Sequence, residues 1–394
     1  MSKRLVLSNL SVITMAGENP DTEVIENALI VSEDGVVAFV GPEDEFEGDN
    51  SGAIDMEGAL CLPGLVVCHN PCLWAGDVPS ERPISSEGYR HLTRQVTEAT
   101  SAADESHLIA LLADRIGSLA RSGVTSCELK SGYGGDADTE LRLVCTLATF
   151  AKTSAMRTRI TLALGHSFTG DGDPDEFLEH IERVIVPATY EDDLTDAVEV
   201  FCDDEAALDL DVCSTILELY YKKKTPSRVA CDRFEDSAGA TLPASFYSRC
   251  AIFLNKTEDL DLEILCNVGT VTVVVPDTMD MDEGQTAPDI SAIREAGGRI
   301  AISPNLGPDG SGSASILDAM RKSRKQLDLT LEETIAAATV NAARALGLSD
   351  EAGIIAAGRP ADFALFNAKS LEALIDEHGS ACVATTLSGN LARY

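Results

Sequence analysis

The sequence has few aromatic residues, few basic residues and no long hydrophobic run. Aromatic residues make up 5% of its 394 residues, with a single Trp. No uninterrupted apolar run of about 18 residues is present, which argues against a membrane-spanning helix. Lys and Arg number 30 against 65 Asp and Glu, which gives a formal net charge of -35. Because so acidic a surface repels phosphate backbones and anionic lipid head groups, we expect neither a nucleic-acid partner nor a membrane partner.

The compartment is also suggested by what is missing. The opening segment, MSKRLVLSNLSV, lacks the hydrophobic core and cleavage site of a signal peptide. The eleven Cys are an odd number scattered from Cys61 to Cys382. We therefore expect a reducing cytoplasm and buried free thiols. The excess of acidic residues is typical either of proteins that work in high salt or of an ordinary acidic cytoplasmic protein.

The hydrophobic pattern changes near residue 62. Residues 4–60 contain short β segments separated by turns, at 4–14, 28–31 and 36–40. From Leu62 onward, short apolar strands alternate with amphipathic helices, a pattern typical of βα units around a parallel sheet. Eight strands are predicted, at 65–68, 125–129, 159–164, 197–201, 227–231, 250–254, 271–275 and 299–303. Eight is the number that closes a (β/α)8 TIM-type barrel.

Helices are predicted between and after these strands from the spacing of apolar residues. Apolar residues at helical spacing predict helices over 105–121, 139–152, 206–221 and 289–296. Two closing helices are predicted over 313–324 and 330–345, the second opened by a capping box at Thr330. Residues 353–366 and 381–394 are strand-like again. We therefore predict a small β-sandwich from residues 1–61 and 348–394, beside a barrel over 62–347.

Five sequence motifs occur in order along nearly the whole chain: LCLPGLVVCHNPCLWAGD at 60–77, GVTSCELKSGYG at 123–134, LALGHSF at 162–168, VEVFCDDEAAL at 198–208 and GIIAAGRPADFALF at 353–366. Together they resemble the imidazolonepropionase family of the amidohydrolase superfamily. The SGYG and EVFC stretches are specific to the family, whereas the first and last motifs mark the superfamily. The resemblance implies a (β/α)8 barrel with a flanking β-sandwich.

The resemblance also implies a reaction and a metal. Members of the family use one divalent ion, Zn or Fe, to activate water that opens the imidazolone ring of a histidine breakdown product. A metal-bound water ionises near pH 7, so the site needs several His and carboxylate ligands converging at the carboxyl ends of the strands.

Most of the implied metal ligands are substituted here. The His-x-His pair of the family is His69-Asn70-Pro71, so its second His is Pro71. The His expected at the end of strand five is Ala230, and the Asp expected at strand eight is Asn305. Only His69 is retained. Because a catalytic zinc site has about three protein ligands, we expect the metal site to be dismantled, with no cofactor bound.

The substrate side of the implied pocket is only partly changed. Tyr133 and His166 stand where the family places residues that contact the substrate, and Lys130 of the same stretch is a further candidate for substrate binding. The Arg that holds the substrate carboxylate in the family is Val78, and the strand-six His is Phe253. Arg233, or alternatively Arg82, can hold a small carboxylate or imidazole-like ligand instead, since guanidinium pairs with carboxylate in bidentate fashion.

Two hypotheses follow. In the first, the chain is a non-hydrolytic homologue with a binding, regulatory or assembly role, forming a homodimer or partnering an active paralogue. In the second, it is an active amidohydrolase that opens a cyclic amide with His166 or Asp232 as general base, with no metal or with Zn or Fe at a site rebuilt from His69, His166 and Asp232.

Overall fold

The computed structural model describes residues 3–17, 22–77, 84–167, 174–191, 193–282, 284, 286–310, 315–377 and 381–394. The strands of this part of the chain form two sheets, one of eight strands and one of seven. Two residues named from the sequence lie outside the described residues. They are Val78, which replaces the carboxylate-binding Arg implied by the resemblance, and Arg82, the alternative to Arg233.

The eight-stranded sheet is a nearly closed parallel barrel. Its strands follow the order of the chain, and each pairs in parallel with the next. They are β5 (Leu65–Val67), β6 (Val124–Lys130), β7 (Arg157–Leu164), β8 (Ala197–Cys202), β9 (Ser227–Cys231), β10 (Cys250–Phe253), β11 (Val271–Val274) and β12 (Arg299–Ile302). The hydroxyl of Ser303 joins the first strand to the last, since it accepts from the His69 N–H and donates to the His69 carbonyl. All eight predicted strands are confirmed.

Helices lie between and after these strands. They are α1 (Ser86–Ala102), α2 (Glu105–Arg121), α3 (Ala137–Ala151), α4 (Pro174–His180), α5 (Val186–Glu191), α6 (Leu210–Lys222), α7 (Thr241–Phe246), α8 (Asp259–Asn267), α9 (Pro276–Met281), α10 (Ile290–Glu295), α11 (Ile316–Leu327), α12 (Leu331–Ala338), α13 (Val340–Leu346) and α14 (Leu371–Asp376). In α2, for example, Leu108, Leu112 and Leu119 are buried on one face, and Asp104 caps the first turn.

The predicted helix over 330–345 is two helices. The capping box at Thr330 and Glu333 is present and begins α12. At Thr339 the backbone leaves the helical region, with φ -129° and ψ -95°, so α13 begins as a separate helix. Local side-chain bonding explains part of this break, because the Thr339 hydroxyl donates to the Ile335 carbonyl, four residues earlier.

The seven-stranded sheet is built from both ends of the chain, as predicted. Its order is β15-β14-β13-β4-β1-β2-β3. These strands are β1 (Arg4–Ile13), β2 (Val24–Glu33), β3 (Val36–Pro42), β4 (Ile54–Pro63), β13 (Phe363–Phe366), β14 (Cys382–Leu387) and β15 (Asn390–Arg393). The antiparallel pair β4–β13 connects the two ends. Residues 353–362 were predicted as strand but are turns and loop, because Gly353, Gly358 and Pro360 interrupt the ladder.

All eleven cysteines are free thiols, and ten of them are buried. Burial in the apolar interior raises the pKa of the Cys61, Cys72 and Cys250 thiols, to about 12 for the last two. These thiols therefore act as small core side chains. Among the described residues, no helix is both long and apolar enough to cross a membrane.

Candidate active site at the carboxyl end of the barrel

Polar and charged side chains converge where β5, β6 and β8 end. His69 follows β5, Lys130 is the last residue of β6, and Glu199 lies in β8. All three are at most 1% exposed. In a parallel barrel the carboxyl ends of the strands face one side, so residues distant in sequence meet there.

The ammonium group of Lys130 lies at the centre of this cluster. Its Nζ is 2.8 Å from Nδ1 of His69 and 2.5 Å from a carboxylate oxygen of Glu199. A carboxylate oxygen of Glu128 lies 3.3 Å away. Lys130 therefore contacts three different side chains, each of a type that binds metal ions elsewhere in proteins.

Glu128 is held by a second cation. Its Oε1 accepts from the guanidinium of Arg228 and from the hydroxyl of Thr161, the latter at 2.6 Å. Its Oε2 accepts from the backbone N–H of Asn70 at 3.0 Å. The buried cluster thus contains two carboxylates, Glu128 and Glu199, and two cations, Lys130 and Arg228, so its formal charges balance.

His69 is neutral in this setting. Burial lowers the pKa of its imidazole well below the ordinary value, and the positive charge of Lys130 lowers it further. Because Nδ1 accepts from the ammonium, the ring proton is assigned to Nε2. The ring packs edge-on against Phe253, with centroids 5.4 Å apart. Phe253 therefore fills space directly beside His69.

His166 joins the cluster through Glu199. Its Nε2 lies 3.2 Å from Glu199 Oε1, and its Nδ1 lies 2.9 Å from the hydroxyl of Tyr89. Burial opposes ionisation of Glu199, but the Lys130 charge and the His166 hydrogen bond hold the pKa of this carboxyl below its ordinary value. The structure thus brings together His69, Lys130 and His166, three of the residues selected from the sequence.

Arg233 lies in a separate ion-pair cluster. Its Nε and Nη2 bind both carboxylate oxygens of Asp282, at 2.7 and 2.6 Å, and its Nη1 binds Asp309 at 2.5 Å. The guanidinium carbon also lies within 5.0 Å of the ring centroids of Tyr89, Phe234 and Phe253. The sequence suggested that Arg233 holds a ligand carboxylate, whereas in the structure two carboxylates of the protein already occupy it.

Asp232 supports a loop after β9 and does not join His69. Its Oδ1 accepts from the N–H groups of Ser237 and Gly239, and its Oδ2 accepts from Ala240 and from the Thr257 hydroxyl. Burial raises the pKa of this carboxyl despite these bonds. Among the described residues, the grouping of His69, His166 and Asp232 around one ion, which belongs to the second hypothesis, is therefore not formed, because the Asp232 carboxylate is bound by its own loop and by Thr257.

Tyr133 is buried beside His166, with ring centroids 6.1 Å apart. Glu140 stabilises the loop that carries Tyr133, because its carboxylate accepts hydrogen bonds from the backbone N–H groups of Gly132 and Gly134 at 2.9 and 2.5 Å. Burial raises the pKa of Glu140 to about 7. Glu140 thus links α3 to the segment that carries Tyr133.

The substituted ligand positions contribute no donor to the centre. Pro71 and Ala230 have no ligating side-chain atom. The side-chain oxygen of Asn305 accepts from the Gly307 N–H at 2.9 Å and so shapes its own loop. Among the described residues, the group able to hold a metal ion is instead His69, Glu128 and Glu199, whose ligand atoms lie within 4.8 Å of one another.

Sequence reasoning did not single out Glu128, Glu199, Arg228 or Tyr89. A signal was present for Glu128, because it lies two residues before Lys130 on the same strand and hence on the same face. Charged residues within otherwise apolar barrel strands are a second signal, since such groups are almost never fully buried unless paired.

The group able to hold the implied metal is occupied by a cation of the protein itself in this structure. The ammonium of Lys130 contacts all three members of the His69, Glu128 and Glu199 group, so a metal ion and Lys130 cannot hold these positions together. Two of the three are carboxylates that already balance buried cations.

Comparison with known proteins identifies relatives over nearly the full length. Residues 261–390 match the model of the amidohydrolase family. The imidazolonepropionase of Acidiphilium cryptum is 30% identical over 376 residues, which cover 93% of this chain and 94% of that protein. The imidazolonepropionase of Cereibacter sphaeroides strain ATCC 17029 is also 30% identical over 376 residues, with the same coverage of 93% and 94%.

Solved structures share the fold. An adenosine deaminase from Xanthomonas campestris with bound zinc superposes with a TM-score of 0.77 at 15% identity, covering 98% of this chain and 92% of that one. A 5-methylcytosine deaminase from Klebsiella pneumoniae gives a TM-score of 0.77 at 16% identity, with coverage of 98% and 97%. At such identities the likeness concerns architecture alone.

Proposed function

We propose, from the premise that this chain belongs to the imidazolonepropionase family of amidohydrolases, that it is a non-hydrolytic member that acts by binding. The observation that carries the proposal is the position of the Lys130 ammonium among His69, Glu128 and Glu199. In this account a protein cation takes the place that a catalytic metal would need.

The charge balance supports this reading. Glu128 and Glu199 are paired with Lys130 and Arg228, and His69 is neutral. Adding a divalent ion would leave two uncompensated positive charges in a fully buried cluster. The penalty for burying unpaired charge is several kcal/mol per ion, so the ion would bind only if Lys130 left or lost its proton.

The substitutions at the metal-ligand positions also support a non-hydrolytic role. A catalytic zinc site has about three protein ligands plus water, with ligand geometry fixed by further hydrogen bonds. Pro71, Ala230 and Asn305 stand at three of the four positions that the family resemblance assigns to ligands. His69 alone is retained, and its Nδ1 is bound by Lys130.

The residues predicted to bind substrate are buried or already paired, which favours ligand or partner binding elsewhere on the protein. Tyr133, His166 and Lys130 are at most 3% exposed, and Arg233 is neutralised by Asp282 and Asp309. A small carboxylate or imidazole-like ligand would therefore compete with protein carboxylates at this end of the barrel. Association with a second copy of the chain, or with an active paralogue, is the assembly role that the proposal retains.

The test is an assay for ring opening of imidazolone propionate. The purified protein is assayed alone and with added Zn²⁺ or Fe²⁺, beside the imidazolonepropionase of Acidiphilium cryptum as an active control. We expect no turnover by this protein, with or without added metal, and turnover by the control enzyme. Turnover that a chelator abolishes would overturn the proposal.

A second candidate is an active hydrolase on C–N bonds of cyclic amides. The observation that favours it is the close approach of His69, Glu128 and Glu199, a set able to hold Zn or Fe once Lys130 moves away. The contact between His166 and Glu199 suits a general base. A His166→Ala variant separates the two candidates, because only an active enzyme would lose turnover, while an Asp232→Asn variant tests the other base suggested by the sequence.

A further inference from the structure

A cavity of about 520 Å³ lies at the amino end of the barrel, on the side opposite His69. It is bounded by Arg299 at the start of β12, by Arg344 in α13 and by Glu333 in α12. Small-molecule sites in proteins have volumes of about 300–1,000 Å³, so this cavity is large enough for a metabolite.

Two arginines of this cavity have no partner within the described chain. Arg294 also lines it but is bound to both carboxylate oxygens of Glu333. In the part of the chain that the structure describes, the side chains of Arg299 and Arg344 make neither a hydrogen bond nor an ion pair. Both are exposed. Unpaired guanidinium groups are unexpected in a chain whose acidic residues outnumber its basic ones 65 to 30.

A second cavity adjoins the first on the side of Arg344. It has a volume of about 380 Å³ and shares Arg344 and Ser349 with the first. It adds Arg249, whose Nη1 donates to the Leu346 carbonyl at the end of α13 at 3.1 Å. Arg344 thus lies between two cavities, both of which contain a further arginine.

The remaining walls of the larger cavity limit what it can hold. Apolar side chains contribute part of the surface, namely those of Met15, Ile300, Ala336, Val340, Ala352 and Ile354. Among the described residues that line it, three arginines and two carboxylates, Glu332 and Glu333, supply the charged groups, which leaves one excess positive charge. This combination suits a small organic anion better than a highly charged polymer.

We propose that Arg299 and Arg344 form a binding site for a small organic oxyanion, either a carboxylate or a phosphate ester. Guanidinium groups pair with both oxyanions through two parallel hydrogen bonds, which gives orientation as well as affinity. The apolar wall receives the carbon part of the ligand. This site is remote from Lys130, so it stands whether or not the barrel centre is catalytic.

The test uses inorganic phosphate and succinate as separate probes in isothermal titration at fixed ionic strength. The proteins are the full chain, the Arg299→Ala/Arg344→Ala double variant and the matched control Arg90→Ala, which removes another exposed arginine without a described partner. Because all three positions are exposed, we expect the variants to fold and to unfold at nearly the same temperature as the full chain.

We expect saturable binding of at least one probe at one site per chain, weakened at least tenfold in the double variant and unchanged in Arg90→Ala. Binding of phosphate alone identifies a phosphate site, and binding of succinate alone identifies a carboxylate site. Binding of neither probe at 1:1 stoichiometry overturns the proposal. So does binding that survives in the double variant.

Discussion

The Lys130 ammonium and the Glu199 carboxylate lie 2.5 Å apart, and both side chains are fully buried. Lys130 ends β6 and Glu199 lies in β8, so the pair spans the intervening strand β7 at the mouth of the barrel. Through His166, which contacts Glu199, the pair also reaches Tyr89 of α1. The pair is thus the centre of a network that joins four segments of the fold, namely β6, β8, the segment after β7 and α1.

Removing the cation of this pair is expected to destabilise the protein. In Lys130→Met the apolar part of the side chain remains, while Glu128 and Glu199 lose a buried partner. Breaking a buried ion pair in this way costs about 3–5 kcal/mol. Urea unfolding monitored by circular dichroism measures the loss. Adding Glu199→Gln to Lys130→Met should recover part of the lost free energy of unfolding. A loss below about 1 kcal/mol in Lys130→Met alone would show that the ion pair is not formed.

A smaller side chain at the same position is expected to create a metal site. In Lys130→Ala the ligand atoms of His69, Glu128 and Glu199 are released, and they lie within 4.8 Å of one another. We therefore expect one Zn²⁺ per chain to bind to this variant, with affinity at least tenfold above that of the unmodified chain. Titration calorimetry measures the difference, and Lys130→Ala/Glu199→Gln should lose it. Equal zinc affinity of the unmodified and Lys130→Ala chains would contradict the account.

Arg233 is expected to be a structural residue whose contribution depends on pH. Burial opposes ionisation of Asp309, but the Arg233 charge and hydrogen bond hold the pKa of this carboxyl below its ordinary value. A lowered pKa stabilises the fold at neutral pH, and this contribution is lost as acid protonates the carboxyl. Arg233→Met should therefore cost about 3–5 kcal/mol at pH 7 and less below pH 4.

The measurement is the urea midpoint of both proteins at pH 7 and at pH 3.5. Arg233→Lys serves as the control, because it keeps the charge but cannot bind both oxygens of Asp282 in the same way. If Arg233→Met instead retained full stability and lost binding of a small carboxylate, the ligand-binding role suggested by the sequence would be supported.

Glu140 is expected to set a pH dependence of stability. Burial raises the pKa of Glu140 from 4.5 to about 7 in the folded protein. A raised pKa means that the folded state binds the proton more tightly, so stability falls as pH rises from about 4.5 to 7. The shift corresponds to roughly 3 kcal/mol. A Glu140→Gln variant cannot titrate at this position. As the pH rises from about 4.5 to about 7.5, the free energy of unfolding of the variant should therefore increase by roughly 3 kcal/mol relative to that of the unmodified chain.

Comparing the two proteins cancels the other titrating groups, which are common to both. The stability difference is measured by urea unfolding at several pH values. A difference that stays constant across this range would show that the Glu140 carboxyl titrates normally.

The architecture was accessible from the sequence because its signals are local and repeated. Each barrel strand is a short apolar run followed by a turn, and each longer helix has an apolar face and a cap, as at Thr330 and Asp104. The break at Thr339 was not accessible, because it depends on one side chain bonding to its own helix. Strand β4 was not predicted, because its first residues, Ile54–Gly58, carry charged residues and a glycine.

The site was only partly accessible. His69, Lys130 and His166 were found through motifs, and the structure brings them together. Glu199 and Arg228 were missed, because nothing local in β8 or β9 indicates that these two residues both approach Glu128 or Lys130 across the barrel. The pairing of Arg233 with Asp282 and Asp309 spans 49 and 76 residues, and no spacing rule predicts such contacts.

The metal content of the unmodified protein tests the central claim most directly. Untagged protein is dialysed against trace Zn²⁺ and Fe²⁺, and the metal bound per chain is measured by plasma mass spectrometry. With Lys130 among His69, Glu128 and Glu199, we predict far less than one ion per chain. About one Zn or Fe per chain, lost in a His69→Ala variant, would contradict the account and place a metal where we assign the ammonium.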